Sequence, residues 1–431
     1  MNNYIVPENE IHRTRPDYIT FIPKDIGKEG LNEHFIVFEG ADNTLKAIWT
    51  QSDMASGLPD YEQVNRIMFT HSNDGGGTWA TPKRIVGPKD KNDTSCDMAS
   101  WAFPMVSDSG RIYVLYNQNN GKSNYQPMHT GIMCGLYSDD HGETWSAPEE
   151  VPFEFNQFDD PNRDIPPDWI VWQRPMKDLK GGFIAPYSRW LHKDVAKIKE
   201  KEIADKKATW TWWESVCEVM RFTNIQSNPE VKDIKISYTA WGDTALRAPH
   251  YLYPESSVAQ EPSIIRLPDG SIFCAMRTNS GYLWYSVSKD DGETWCSPRP
   301  LLYKDFGLPI LNPVGCAPIY QLMNGKYALF YSNNRGVIEP PAEWGPRNPV
   351  FLSIGEFMPD ADQPLWFGKP YNFMDCKHLS IYGDENGING ISLYASFTTS
   401  TGKNILWYPD RKFSLLGKEI TDEMINICLN T

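Results

Sequence analysis

Along most of the chain, apolar and polar positions alternate in runs of four to eight residues, bounded by clusters of Gly, Pro, Asn, Asp and Ser. A two-residue period of this kind belongs to half-buried strands, because successive side chains of a strand face opposite sides of a sheet. Paired runs predict strands over 35–39 and 46–50, 103–106 and 111–116, 169–172 and 182–187, 263–266 and 272–277, 317–322 and 327–331, and 379–382 and 390–397. Several pairs are joined by turns such as Ser107-Asp-Ser-Gly110, Pro268-Asp-Gly270, Met323-Asn-Gly325 and Glu385-Asn-Gly387, whose Asn, Asp and Gly suit tight hairpins. One stretch breaks the period: 192–208 is rich in Lys, Glu, Ala and Ile and lacks Gly and Pro, which predicts a short amphipathic helix or finger inserted in the third unit.

An eight-residue pattern recurs three times, as Ser72-Asn-Asp74-Gly-Gly76-Gly-Thr78-Trp79, Ser138-Asp-Asp140-His-Gly142-Glu-Thr144-Trp145 and Ser288-Lys-Asp290-Asp-Gly292-Glu-Thr294-Trp295. The Asp can cap nearby backbone N–H groups, the Gly supplies a positive φ, and the Trp folds back over the turn. The first two serines are 66 residues apart and the next gap is 150, two periods of 75, so one unit between them lacks its box. A degenerate unit follows around Ser353, a boxless one spans 217–238, and a final hairpin is expected from 404–407 and 412–416. Six such units, each too small to bury a sheet face alone, predict an all-β, six-bladed propeller, with seven blades as the fallback. The strand at 17–23 is expected to complete the last blade, making residues 1–431 a single propeller domain.

Composition narrows the function. The chain has 431 residues, a net charge of −14 and 13% aromatic residues, so it can bury a large core and does not suit a polyanion or an anionic membrane surface as partner. Eight cysteines without CxxC or zinc-type spacing read as free, mostly buried thiols; neither a metal nor a cofactor is expected. Met1 to Arg15 lacks the apolar stretch of a signal peptide, which leads to the expectation of a cytoplasmic protein.

The repeated box and its spacing resemble the sialidase (neuraminidase) superfamily of six-bladed propellers. In that family the boxes lie at peripheral turns, away from the active site. Gln260-Glu261-Pro262, running on to Arg277, resembles the segment in which a Glu opens a blade and an Arg ends the next strand, both facing the central cleft. Arg347, in Pro346-Arg347-Asn348-Pro349, resembles the third member of the arginine triad that grips the substrate carboxylate. Elsewhere the chain departs from the family. His34 falls near the first triad arginine, and counting back nine residues from Gly387 puts His378 at the nucleophilic tyrosine, with Tyr382 available only in another register. Asp97 is the nearest counterpart of the acid/base aspartate. Arg189 and Arg335 are further candidates for anion binding, His129 and His192 further candidate histidines, and Trp101 a candidate for stacking a sugar.

These residues imply an exo-acting glycoside hydrolase that removes a terminal anionic sugar from an oligosaccharide or glycan. Two alternatives stay open. Histidines beside arginines also suit β-elimination at a uronic acid, a reaction of some sialidase-related propellers, and a degenerate site would leave a carbohydrate-binding propeller. Self-association is left open.

Overall fold

The computed structural model describes residues 14–53, 64–122, 128–192, 194–195, 214–249, 254, 256–336, 347–376, 391 and 393–429. Six antiparallel sheets, each of four or five strands, follow one another along the chain. Blade one is Leu31–Glu39, Leu45–Ser52, Asn65–Ser72 and Lys83–Val86; blade two is Met98–Val106, Ile112–Asn119, Ile132–Ser138 and Glu149–Glu150. Blade three holds Asp168–Ile170, Phe183–Trp190, Ser215–Phe222 and Ile236–Thr239, with Met176–Lys177 added beside Phe183–Trp190. Blade four is Ala259–Arg266, Ile272–Thr278, Trp284–Ser288 and Arg299–Pro300. Blade five is Ile319–Gln321, Tyr327–Tyr331, Val350–Phe357 and Leu365–Phe367, with Tyr371–Met374 paired to its third strand. The expected six-bladed propeller is therefore the fold found.

Blade six is composite. Its inner strands are Ser396–Thr398, Ile405–Asp410 and Ser414–Glu419, and the N-terminal Tyr18–Phe21 adds the outer one, pairing Tyr18 with Gly417. Asp17 ties this closure down, accepting from the Glu419 N–H at 2.9 Å and facing Lys418 Nζ at 3.0 Å. The strand expected over 390–397 needs correction, since the described strand there is Ser396–Thr398, and the one expected over 379–382 lies outside the described residues. Residue 412 belongs to a turn rather than to the next strand. Most of the 192–208 insertion also lies outside the described residues. A C-terminal helix, Asp422–Leu429, was not foreseen; it buries Ile425 and Cys428 against blade five. All eight cysteines are free thiols, and Cys96 and Cys296 are exposed.

The boxes behave as small capped turns. Asp74 accepts from the Thr78 N–H at 2.8 Å and the Thr78 hydroxyl at 2.7 Å, while Ser72 Oγ accepts from the Gly76 N–H at 2.8 Å. Asp140 and Asp290 repeat the arrangement with Thr144 and Thr294. These donors lower all three carboxyls to about 2. The box glycines also seat neighbouring blades: a Cβ on Gly76 would lie 2.4 Å from Trp407 of blade six, and one on Gly142 2.2 Å from Phe69 of blade one.

Chain direction fixes which end of the axis carries chemistry. In each blade the third strand runs parallel to the innermost one, so a box that follows the third strand lies where the innermost strand ends. The start of every innermost strand, and the turns between second and third strands, lie at the opposite face.

Candidate active site

Three innermost strands carry the same irregularity near their starts. The pairing register shifts between Glu33 and Ile36, Ser100 and Phe103, and Gln260 and Ser263. Within those bulges His34, Trp101 and Glu261 have φ of 55°, 55° and 47°. A non-glycine residue in this left-handed region is strained by about 1–3 kcal/mol, and a bulge of this kind re-aims one side chain out of the normal alternation. Here the three side chains turn toward the axis. Adjacent blades hold the bulges: the Trp101 N–H donates to Thr50 Oγ1 at 3.1 Å and the Glu261 N–H to Ser188 Oγ at 2.6 Å.

Contacts between non-adjacent blades show that these side chains meet on the axis. His34 of blade one donates from Nε2 to the Trp172 carbonyl of blade three at 2.9 Å. The Trp101 ring of blade two stands edge-on to Tyr394 of blade six, 5.0 Å between centroids. Tyr394 in turn donates its hydroxyl to Glu261 Oε1 of blade four at 2.5 Å. The same oxygen receives Arg277 Nη1, while Glu261 Oε2 is buried without a hydrogen-bond partner among the described residues. Arg347, at the entry to the third strand of blade five, donates to the Val314 carbonyl. Burial, and then the Arg277 charge, hold Arg347 below the usual guanidinium range, so the two guanidiniums lie within electrostatic reach of each other. Burial, and then the Glu261 charge, push the Tyr394 phenol far up, so it stays protonated at rest.

His34 and His129, the two histidines described on the axis, are neutral. Burial depresses His34 to about 3 against a smaller opposing effect of the Trp172 carbonyl. His129 is depressed to about 3 by burial and then by the Arg277 and Lys412 charges; its ring stacks on Trp190 at 4.6 Å and lies 5.7 Å from Trp101. His34 also sits 5.0 Å from Trp101, so an aromatic wall runs from blade one to blade three beside Tyr394.

The sequence candidates thus fall into three groups. Glu261, Arg277, Arg347, His34 and Trp101 converge on the axis. Arg189 does not: it is fully buried, with Nε 2.7 Å from Glu218 and Nη1 on Asp159, a guanidinium committed to carboxylates of its own blade region. His192 pairs similarly with Asp160 at 3.1 Å. Arg335 is exposed in a loop beside Gly281, and Asp97 is exposed at the entry to blade two, where it accepts from Gln118 Nε2 at 3.4 Å. His378 and Tyr382 lie outside the described residues.

Tyr394 is the residue the sequence reading missed. The hairpin glycine of the last blade is Gly402, which closes the turn after Ser396–Thr398 by donating to the Thr399 carbonyl at 3.0 Å. Tyr394 stands eight positions before it, so the count of nine started from Gly402 instead of Gly387 falls on the adjacent Leu393, one residue short of Tyr394.

Comparison with known proteins agrees with this architecture. A family model described as BNR repeat-like domain matches residues 62–357, more than half of the chain. The chain belongs to the BNR repeat-like family, within the sialidase superfamily of propellers. A sialidase of Paraclostridium sordellii is 30% identical over 112 residues, which is 25% of this BNR repeat-like chain and 26% of that protein. Among solved structures, the NanB sialidase of Streptococcus pneumoniae superposes with a TM-score of 0.60 at 13% identity, covering 98% of this chain and 73% of that one. A leech intramolecular trans-sialidase gives 0.60 at 14%, covering 96% and 71%, and the intramolecular trans-sialidase of Ruminococcus gnavus 0.58 at 14%, covering 95% and 98%. At such identities the structural likeness of the BNR repeat-like chain to these proteins is one of fold.

Proposed function

We propose that this BNR repeat-like propeller is a glycoside hydrolase acting on a terminal sugar that carries a carboxylate. The observation that carries the reading is the Tyr394 hydroxyl bonded to Glu261 across the axis, with Arg277 on the same carboxylate oxygen and the Arg347 charge within electrostatic reach of Arg277. Two guanidiniums from different blades can grip a carboxylate from two directions. Glu261 takes the phenolic proton as Tyr394 oxygen attacks the anomeric carbon; the bond to the aglycone oxygen breaks and that oxygen takes up a proton. Asp97, on the same face, is the carboxyl proposed to supply it. Water then attacks the tyrosyl-linked sugar and gives its proton to the Asp97 carboxylate, the sugar–tyrosine bond breaks, Glu261 returns its proton to Tyr394, and the free sugar leaves. Elimination instead needs a base titrating near neutrality, whereas both histidines described on the axis sit at about 3.

The test is hydrolysis of 4-methylumbelliferyl α-N-acetylneuraminide by the wild type and Tyr394→Phe, alongside uronyl oligosaccharides followed at 235 nm. Fluorophore release that Tyr394→Phe abolishes supports the reading. Absorbance growing at 235 nm, or full activity in Tyr394→Phe, overturns it.

A further inference from the structure

Among the described residues the proposed site has two guanidiniums where the sialidase resemblance implies three, and the blade-one position holds neutral His34. A different cation reaches the same place from blade six. Lys412 lies in the turn between Ile405–Asp410 and Ser414–Glu419, at the face where the innermost strands begin. Its Nζ stands 5.6 Å from the centroid of the Tyr394 ring and pairs with Glu33, the residue before His34. Glu33 is buried, whereas 20% of the Lys412 side chain stays exposed, so the ammonium keeps a route to a ligand.

The ammonium also acts on both sides of the axis. Its charge, after burial and Arg277, helps depress His129 of blade two. The Cys316 thiol of blade five is raised by burial and by Glu261, with Arg347, Arg277 and Lys412 pulling the other way. The backbone is built to hold this position. Arg411 and Lys412 are consecutive non-glycine residues with φ of 56° and 52°, where a hairpin without other demands would carry Asn-Gly. Buried Asn32 of blade one clamps the turn, its N–H donating to the Lys412 carbonyl at 2.7 Å and its Nδ2 to the Phe413 carbonyl at 2.9 Å.

We propose that Lys412 is the third cation of the anionic-sugar site, a binding residue that replaces on blade six the charge absent from blade one. This rests on the reading given under Proposed function. Glu33 holds the ammonium in place when no ligand is bound, and the substrate carboxylate then shares it with Arg277 and Arg347. The competing account is an ion pair that merely ties blade six to blade one, and the charge of the ligand separates the two.

Binding of methyl α-N-acetylneuraminide and of its carboxyl methyl ester is measured by calorimetry for the wild type, Lys412→Met, Lys412→Arg and, as reference, Arg277→Lys. Lys412→Met should weaken the acid by roughly ten- to a hundredfold, the scale of one charge-assisted contact, and leave the ester unchanged; Lys412→Arg should restore most of the loss. If Lys412→Met does not fold, Lys412→Gln, able to hydrogen-bond Glu33, carries the same comparison. An unchanged preference for acid over ester in the neutral variant, with Arg277→Lys impaired, overturns the role of Lys412 alone. A wild type without that preference, or an Arg277→Lys variant that keeps it in full, overturns the anionic-sugar reading and this proposal with it.

Discussion

Glu261 serves two neighbours with one oxygen, and substitutions at the two ends of that contact should separate packing from chemistry. Tyr394→Phe keeps the ring against Trp101 and removes only the hydroxyl. It should lower kcat by roughly 10²-fold or more with an unchanged circular dichroism spectrum, the usual scale for losing a group that reacts. Glu261→Gln instead leaves the guanidinium of Arg277, itself 0% exposed, beside a neutral partner. Breaking a buried pair from one side costs about 3–5 kcal/mol, so this variant should lose stability in denaturant titration as well as activity. The box aspartates set the acid limit of the fold. Their carboxyls are held at about 2, below the ordinary 3.8, so the unfolded chain binds more protons once pH drops below about 4. Their stabilising effect is complete above that value and is lost as pH falls through about 2; Tm should decline over this window, and less steeply in Asp140→Asn. A flat profile would contradict it.

At the scale of elements, the boxes and the bulges were unequally legible. A box is local: Asp140, Gly142, Thr144 and their hydrogen bonds lie within eight residues, so residue types and order announce the turn. What the pattern leaves unsaid is that Gly142 also seats Phe69 of the preceding blade. Gly142→Ala would put a methyl into that ring at φ 95°, and it should cost on the order of 1–3 kcal/mol, read as a lower midpoint in urea; a neutral outcome would show that the blades can move apart. The bulges at His34, Trp101 and Glu261 involve no glycine and no turn signal. Alternation assigns these residues to a strand face, and only neighbours such as Thr50 and Ser188 on the adjoining blades stabilise the left-handed backbone that points them at the axis.

The whole molecule is a ring whose closure joins the two ends of the described chain. Tyr18–Phe21 supplies the outer strand of a blade otherwise made by 396–419, and Tyr18 packs its ring 5.3 Å from Trp407. Because each blade buries its faces only against neighbours, an open edge here exposes blade six and weakens blade one next to it. A variant beginning at residue 24 should unfold several degrees below the parent, at about 1 °C per kcal/mol for a chain of this length, or lose its single transition in calorimetry, because the lost pairing weakens a ring of coupled units. An unchanged Tm would show that the strand adds nothing to closure. The Arg189 cluster belongs to this scale as well. Residue type alone marks an arginine near the axis as a ligand for an anion, but Glu218 and Asp159 reach it from two segments of blade three, and that pairing is a product of the packed fold.

Residue order alone determined the all-β class, the six-fold repetition, the box turns, the closing N-terminal strand and the candidacy of Glu261, Arg277 and Arg347. The turns and repeats are set by interactions within one unit, the closing strand was legible from its own alternation and the incomplete last unit, and the three site residues from their resemblance to a family motif. The tertiary structure decided that Tyr394 faces Glu261, that Arg189 is satisfied elsewhere, and that Lys412 stands over the Tyr394 ring. The first of these joins residues 133 apart in sequence across the axis, and in all three burial and neighbouring charge choose the partners, which residue type along the chain does not encode.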